Sequence, residues 1–240
     1  MPGLGTLINV ALIIAGGAVG LIGGKFITVR VQDALLKASA LCVLFIGLSG
    51  ALEKMLIFDD GKLTSTGSTM IIVSFAIGAL IGEALNLERH MERLGEWLRD
   101  RFANGAEGGF VDAFVTASLT VCIGAMAIVG SIQDGILGDW STLALKGALD
   151  CIIVCAMTAS MGRGAIFSAL PVGVFQGTIT LLARFIQPIM TAGALDNLSL
   201  VGSMLIFCVG VNLIWGRTFK TANLLPAVIV AVLWALACGA

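Results

Sequence analysis

The sequence predicts an all-α polytopic membrane protein with about seven to eight transmembrane helices and one cytoplasmic amphipathic helix. Three observations predict this class. Of the 240 residues, 58% are hydrophobic and only 12% are charged, whereas soluble domains carry about 25% charged residues. The mean hydropathy is +1.03. Long uncharged apolar runs recur from one end of the chain to the other. This composition excludes a disordered chain, a nucleic-acid-binding protein and a secreted disulfide scaffold.

The apolar runs are long enough to be membrane spans. Each holds roughly the 17–25 residues that a helix needs to cross a ~30 Å hydrocarbon core. In chain order, the runs cover residues 4–24, 34–57, 68–86, 110–132, 141–161, 164–187, 198–215 and 221–240. They lack the period-two alternation of membrane β-strands. No basic residue precedes the first run, so it is expected to be an uncleaved span and not a secretory signal.

The distribution of basic residues predicts the orientation of these spans. With the N-terminus outside, ten of the 14 Lys and Arg residues fall in inner loops. The remaining four are Lys54, Lys62, Lys146 and Arg184. Because cytoplasmic loops are enriched in Lys and Arg, we expect both termini to lie outside a bacterial inner membrane.

The longest inner connection, residues 87–102, is predicted to be the amphipathic helix. Its apolar residues recur at steps of three and four, and charged residues cover the remaining surface. Such a helix lies in the membrane interface with its apolar stripe toward acyl chains or toward the base of the protein. The chain is therefore interpreted as a single membrane domain, 1–240, in which this connector joins a three-helix part, 1–86, to a five-helix part, 110–240.

Charged residues within the spans are the first candidates for a functional site, since each costs at least about 2.5 kcal/mol at the centre of a bilayer. Lys146 and Asp150 lie four residues apart in the run 141–161, so they can pair on one helix face. The pair could be an ion pair that only fixes packing, or a proton or cation site. Glu83 is expected near an inner helix end. Asp134, with Asp139, could attract cations to an outer turn or belong to a solvated hairpin.

Uncharged amides form the second set of candidates. Asn9, Gln176 and Asn223 lie in or beside apolar runs, and Pro171 and Pro226 are expected to break two of these runs locally. Each amide could join neighbouring helices, or the amides together could line a hydrated cavity. The six cysteines lie in apolar runs without a Cys-x-x-Cys pair, so neither a metal site nor a cofactor is expected. No catalytic motif is present, and an enzyme is not expected.

Several motifs together resemble the YqgA/YdfK-like bacterial membrane family, a family with a domain-of-unknown-function label. The resemblance covers nearly the whole chain and rests on the following motifs: Gly5-Thr6-Leu7-Ile8-Asn9, Gly78-x3-Gly82-Glu83, Phe110 through Gly135, Lys146-Gly147-Ala148-Leu149-Asp150, Ser168-Ala169-Leu170-Pro171 with Gln176-Gly177, and Asn223-Leu224-Leu225-Pro226. It implies an inner-membrane location and a helical polytopic fold. It implies neither a substrate nor a catalytic residue.

The sequence favours a small secondary transporter or channel for an ion or small polar solute. In this hypothesis Asp150 binds a cation or proton, Lys146 supplies the counter-charge, and Asn9, Gln176 and Asn223 supply neutral ligands. The alternative is a non-transporting scaffold or sensor that docks a partner through an exposed stripe at Met91, Leu94 and Leu98. Apart from the lipid bilayer and the solute or ion, a second copy is a further partner considered, with the glycine-rich run 4–24 as the contact face of a homodimer.

Overall fold

The protein is a bundle of α-helices. A computed structural model describes residues 2–26, 28–59, 62–102, 109–122 and 125–238. The helices of these described residues are α1 (Leu4–Gly24), α2 (Val29–Met55), α3 (Ser68–Leu85), α4 (Leu87–Phe102), α5 (Phe110–Cys122), α6 (Ala125–Leu137), α7 (Ser141–Met161), α8 (Ala169–Leu181), α9 (Ala183–Ile186), α10 (Ala192–Trp215) and α11 (Pro226–Cys238). The predicted all-α class is confirmed.

Six helical runs in the described part of the chain are long and apolar enough to cross a membrane. They are Leu4–Gly24, Ser68–Leu85, Ser141–Met161, Arg163–Leu181, Ala192–Trp215 and Thr221–Cys238. A seventh span arises if α5 and α6 are counted together, although their axes are inclined by 63°. The expected total of seven to eight spans stays a prediction.

Helices α1 and α7 run parallel and approach each other closely through small residues. A Cβ atom on Gly16 would overlap the carbonyl group of Cys151, and one on Gly20 would overlap that of Cys155. Small residues allow such an approach, which increases van der Waals contact between backbones in a membrane. Because Gly16 and Gly20 face α7 within one chain, the glycine face that they form is not free to join two copies.

Two further helix pairs run antiparallel. Gly47 of α2 packs against the backbone of Phe207 in α10, and Lys54 of α2 forms an ion pair with Asp196 near the start of α10 at 2.8 Å. Gly78 of α3 packs against Ala227 of α11. The first three helices therefore pack on later ones, so the parts 1–86 and 110–240 interleave.

Helix α4 matches the predicted range 87–102 and packs on the base of the bundle. Leu98 is buried, and Met91 and Leu94 pack against the same core. Gly95 lets α4 approach α5, since a Cβ atom there would lie 3.0 Å from the Phe114 ring. The apolar stripe of α4 thus faces its own protein, and we call this side the α4 end of the bundle.

Three predicted spans each contain more than one helix. The run 110–132 is divided into α5 and α6. The runs 164–187 and 221–240 open with short 3₁₀ helices, Arg163–Ser168 and Thr221–Leu224, which lead into α8 and α11. Pro226 is the first residue of α11 and Pro171 the third of α8, positions where the missing proline N–H leaves no helical bond unmade.

A short hairpin was not predicted. Strands β1 (Leu56–Asp59) and β2 (Lys62–Ser65) pair antiparallel beyond the end of α2, with Leu56 opposite Ser65. The hairpin lies at the end of the bundle opposite α4, because α2 and α10 place the Lys54–Asp196 ion pair there.

Candidate functional site

A buried ion pair lies on α7 in the middle of the bundle. Lys146 and Asp150 are 6% and 4% exposed. The Lys146 ammonium donates hydrogen bonds to Asp150 Oδ2 and, at 2.7 Å, to the carbonyl oxygen of Val121 in α5. The predicted pairing of these two residues across one helical turn is therefore present, and Val121 adds a backbone ligand.

The Val121 carbonyl lies beside the bend between α5 and α6. Helix α5 is described to Cys122, and its axis is inclined by 63° to that of α6, and carbonyls in the last turn before such a bend lack a helical partner. These carbonyls carry the partial negative charge of the helix dipole. The Lys146 ammonium thus binds the negative end of a half-helix as well as a carboxylate.

The amide side chain of Asn9 borders this pair, and a second amide, Gln176, is buried on α8, which packs against α1. Asn9 of α1 lies beside the Asp150 carboxylate and packs against Gly147. Asn9 and Gln176 are both 0% exposed. None of their side-chain oxygen and nitrogen atoms has a hydrogen-bond partner of normal geometry. A buried polar group without a hydrogen bond costs about 1–3 kcal/mol, so these amides are unfavourable as packing groups alone.

Contacts between α1 and α8 place Gln176 at the same level as Asn9. The hydroxyls of Thr6 and Thr180 lie 3.5 Å apart. One turn on, Gly173 packs against Val10. Gln176 lies between Gly173 and Thr180 on one face of α8. We call Lys146, Asp150, Asn9, Gln176 and the Val121 carbonyl the central cluster.

Asp134 does not form the predicted cation-attracting mouth. It is fully buried, and its Oδ2 accepts hydrogen bonds from the backbone N–H groups of Gly3 and Gly5 at 3.1 and 3.0 Å. A carboxylate at a helix N-terminus satisfies free N–H groups and complements the helix dipole. Asp134 therefore anchors the start of α1.

Glu83 and Asn223 also lie away from the central cluster, in a set of charged and polar groups at the α4 end. Arg217 bridges Glu92 of α4 and Asp112 of α5. Lys220 pairs with Glu83 of α3 at 3.1 Å. These groups are close to water, and they link α3, α4 and α5 to the segment between α10 and α11.

Glu88 and Asn223 complete these connections. Asn223 is buried, and its side-chain oxygen accepts a hydrogen bond from the Glu88 backbone N–H at 2.7 Å. The Glu88 carboxylate accepts one from the Ala222 N–H at 2.9 Å. Partial burial raises the pKa of Glu88 from its usual 4.5, and the Ala222 hydrogen bond opposes the rise. We call Glu83, Glu88, Glu92, Asp112, Arg217, Lys220 and Asn223 the α4-end network.

A cavity leads from this network into the bundle. Its volume is about 200 Å³, and Glu88, Asp112 and Arg217 line its mouth. Along α5 its wall includes Thr116 and Leu119. Leu119 is two residues from Val121 in the sequence, so this wall includes a residue within one helical turn of Val121.

Sequence reasoning missed the contributions of Val121 and Arg217. A backbone carbonyl leaves no side-chain signal, and the only indication of the helix break was Gly124 inside an apolar run. Arg217 was assigned only to an inner loop, because nothing in the sequence indicates that the loop reaches Glu92 and Asp112.

Comparison with known proteins gives the family. The chain matches a family described as protein of unknown function, DUF554, over residues 4–236. The chain belongs to this family. Relatives include the membrane protein YdfK of Bacillus subtilis (strain 168), which is 30% identical over 227 residues, or 94% of this chain and 93% of YdfK. YqgA of Escherichia coli (strain K12) is 24% identical over 233 residues, covering 95% and 94% of the two chains.

The predicted resemblance to the YqgA/YdfK-like family is thereby confirmed. No solved structure matches the chain. The family description names no activity, so a function for the central cluster has to be argued from its chemistry.

Proposed function

We propose that this DUF554 protein is a secondary transporter or channel that moves an ion or small polar solute across the bacterial inner membrane. The observation that carries the proposal is the central cluster: a buried Lys146–Asp150 pair beside the bend between α5 and α6, with the buried amides of Asn9 next to Asp150 and Gln176 on α8, neither of which makes a hydrogen bond of standard geometry. Transporters commonly place their sites near the bilayer midplane, where broken helices offer free backbone groups to ions.

The energetics of the pair support a role beyond packing. A buried ion pair contributes little net stability, and apolar residues of similar volume are often equally good. Unpaired amides are unfavourable in the same place. A cluster that joins both features is poor as structural support, whereas a site that binds and releases a polar ligand requires both charges and free ligands.

The cavity at the α4 end supports a route to this site. It opens beside charged groups and reaches Leu119 near the break. On the opposite side of the cluster, Thr6 and Thr180 place two hydroxyls together between α1 and α8. A solute could therefore meet polar groups on both sides of the Lys146–Asp150 pair.

The orientation proposed is the one in which the α4 end faces the cytoplasm. The helix directions bring together at this end the basic residues Lys25, Arg30, Lys37, Arg89, Arg93, Arg99, Arg101, Arg163, Arg217 and Lys220. Their number exceeds that at the opposite end, as the positive-inside rule requires of a cytoplasmic face. Both termini then lie outside.

The alternative scaffold function loses its proposed docking surface. It required an exposed apolar stripe at Met91, Leu94 and Leu98, but Leu98 is only 2% exposed and the other two residues pack on the core. A partner could reach these side chains only by displacing α4 from α5.

Uptake into proteoliposomes tests the proposal. Purified protein is reconstituted and screened with labelled ions and small metabolites under an imposed gradient. Asp150→Asn should abolish any flux found, because it removes the charge at the centre of the site. The matched control is Asp33→Asn, which alters an exposed Asp–Lys pair with the same four-residue spacing and should retain the flux. Equal flux in both variants would reject the site.

A further inference from the structure

We infer that the central cluster is a binding site for a monovalent alkali cation, and that the Lys146 ammonium occupies this site as a tethered competitor. The inference deepens the proposed function by naming the ion class, and it rests on that proposal only for the view that the site serves transport. Four features of the cluster support it.

The first feature is the set of groups that hold the ammonium. Lys146 Nζ donates to a carboxylate oxygen of Asp150 and to the carbonyl oxygen of Val121. Carboxylate and carbonyl oxygens are the ligands of hard cations. A carbonyl at the C-terminal end of a half-helix is a typical Na⁺ ligand in transporters. The place filled by the ammonium therefore has the chemistry of a cation site.

The second feature is the pair of amides. Asn9 lies within hydrogen-bonding reach of Asp150, although neither of its polar side-chain atoms makes a hydrogen bond of standard geometry. Gln176 is equally buried and unpaired at the level of Asn9. An ammonium has only three N–H donors, and two of them are used by Asp150 and Val121. A metal cation needs more oxygen ligands than this, and rotation of the amides would supply them.

The third feature is the charge of the cluster. Asp150 is its one carboxylate, and the other oxygens are neutral. One bound positive charge balances one carboxylate, whereas a divalent ion would leave excess charge in a region of low dielectric. Among the described residues, no group of three or more His, Cys, Asp or Glu side chains is placed to hold a metal ion. The donor set therefore favours Na⁺, K⁺ or Li⁺ over a divalent or transition metal.

The fourth feature is the space around the pair. A Cβ atom on Gly147 would lie only 2.9 Å from Asn9 Cα. Further along the same two helices, a Cβ atom on Gly16 would overlap the backbone carbonyl group of Cys151. Helices packed this closely favour a ligand as small as a bare ion over a metabolite. The cation and the Lys146 ammonium must then alternate at Asp150, since one carboxylate cannot balance both.

Cation-dependent thermal stability in detergent tests this inference without any gradient. Wild type, Lys146→Met and Lys146→Met/Asp150→Asn are titrated with NaCl, KCl or LiCl against choline chloride at constant ionic strength. A ligand that binds only the folded state raises the melting temperature in a saturable way. In Lys146→Met the competitor is gone, so at least one alkali cation, and not choline, should raise the melting temperature.

The half-saturating concentration gives the strength of the competition. If the ammonium occupies the site more than about nine-tenths of the time, wild type should need at least about tenfold more cation than Lys146→Met. The double variant should show no cation-specific rise. Lys37→Met, which removes the exposed lysine of the Asp33–Lys37 pair, should behave like wild type.

The outcomes separate the inference from the proposed function. Folded Lys146→Met protein with no cation-specific stabilisation would overturn the cation site, and so would stabilisation that persists in the double variant. If Lys146→Met does not fold, the cation-dependent rise in melting temperature is compared between wild type and Asn9→Leu. In that case, a wild type without alkali-specific stabilisation also overturns the cation site. Cation binding without flux in liposomes would reject the transport function and keep the cation site. Solute flux without cation binding would reject the cation site and keep the transport function.

Discussion

The central cluster and the α4-end network contain similar kinds of residues but differ in burial and in hydrogen bonding. In the central cluster, Lys146 and Asp150 are almost fully buried, and the amides beside them are unpaired. In the α4-end network, Arg217 and Asp112 are more than half exposed and pair with each other. Charge pairs of the same kind therefore occur in one chain under very different solvation.

The difference indicates which charges hold the fold together and which are available for a ligand. Exposed ion pairs contribute roughly 0–1 kcal/mol each because water and salt screen them. The α4-end network therefore links α3, α4 and α5 with little desolvation cost. A buried pair is expensive if one partner is lost, and orphan amides add to this cost. A ligand at the central cluster would relieve this cost, which is why we propose the site there.

The largest expected effect comes from breaking one pair in each region. Asp150→Ala leaves a buried ammonium without its counter-charge and should lower the free energy of unfolding by about 3–5 kcal/mol. Asp112→Ala leaves Arg217 exposed and still paired with Glu92, so about 0–1 kcal/mol is expected. Thermal or denaturant unfolding in detergent measures both. Similar losses in the two variants would contradict the contrast in solvation.

A smaller effect should follow from separating α1 from α7, the helices that carry Asn9 and the Lys146–Asp150 pair. Gly20→Ala places a methyl group against the Cys155 carbonyl, and overpacking of this kind costs typically 1–3 kcal/mol. Gly23→Ala, on the same helix, meets nothing within 4 Å and should be neutral or slightly stabilising, since alanine favours a helix. Melting temperatures compare the variants. A harmless Gly20→Ala would show that the close approach is not required.

The smallest effect is a pH dependence that belongs to the α4-end network. Burial raises the pKa of Glu88 above 4.5, so the folded state holds its proton more tightly than the unfolded state does. Stability from this group is therefore present below pH 4.5 and is lost as pH rises through the higher folded-state pKa. Because Glu88 is only partly buried, we expect a change below about 1 kcal/mol.

Glu88→Gln isolates this contribution. The glutamine side chain keeps an oxygen that can accept the hydrogen bond from the Ala222 N–H, but the side chain cannot ionise. The variant should lose the decline in melting temperature just above pH 4.5 and be slightly more stable than wild type at neutral pH. Arg89→Gln, on the exposed neighbour, serves as a control. An unchanged pH profile in Glu88→Gln would assign the decline to another group.

The sequence by itself determined the helical class, most span positions and the pairing of Lys146 with Asp150. Helix α7 was predicted at its observed bounds, Ser141–Met161, because a span is a local property of one apolar run. The pairing of Lys146 with Asp150 was predictable for the same reason, since four residues are one helical turn. Family membership also followed from the sequence.

The tertiary structure decided which candidates meet. It placed Asn9 beside Asp150 and packed α8, which carries Gln176, against α1, but it moved Glu83 and Asn223 to the α4-end network and gave Asp134 the N–H groups of α1. It also divided the run 110–132, and so exposed the Val121 carbonyl to Lys146. These outcomes depend on which helix faces pack together across more than a hundred residues, and hydropathy along the chain contains no information about such contacts.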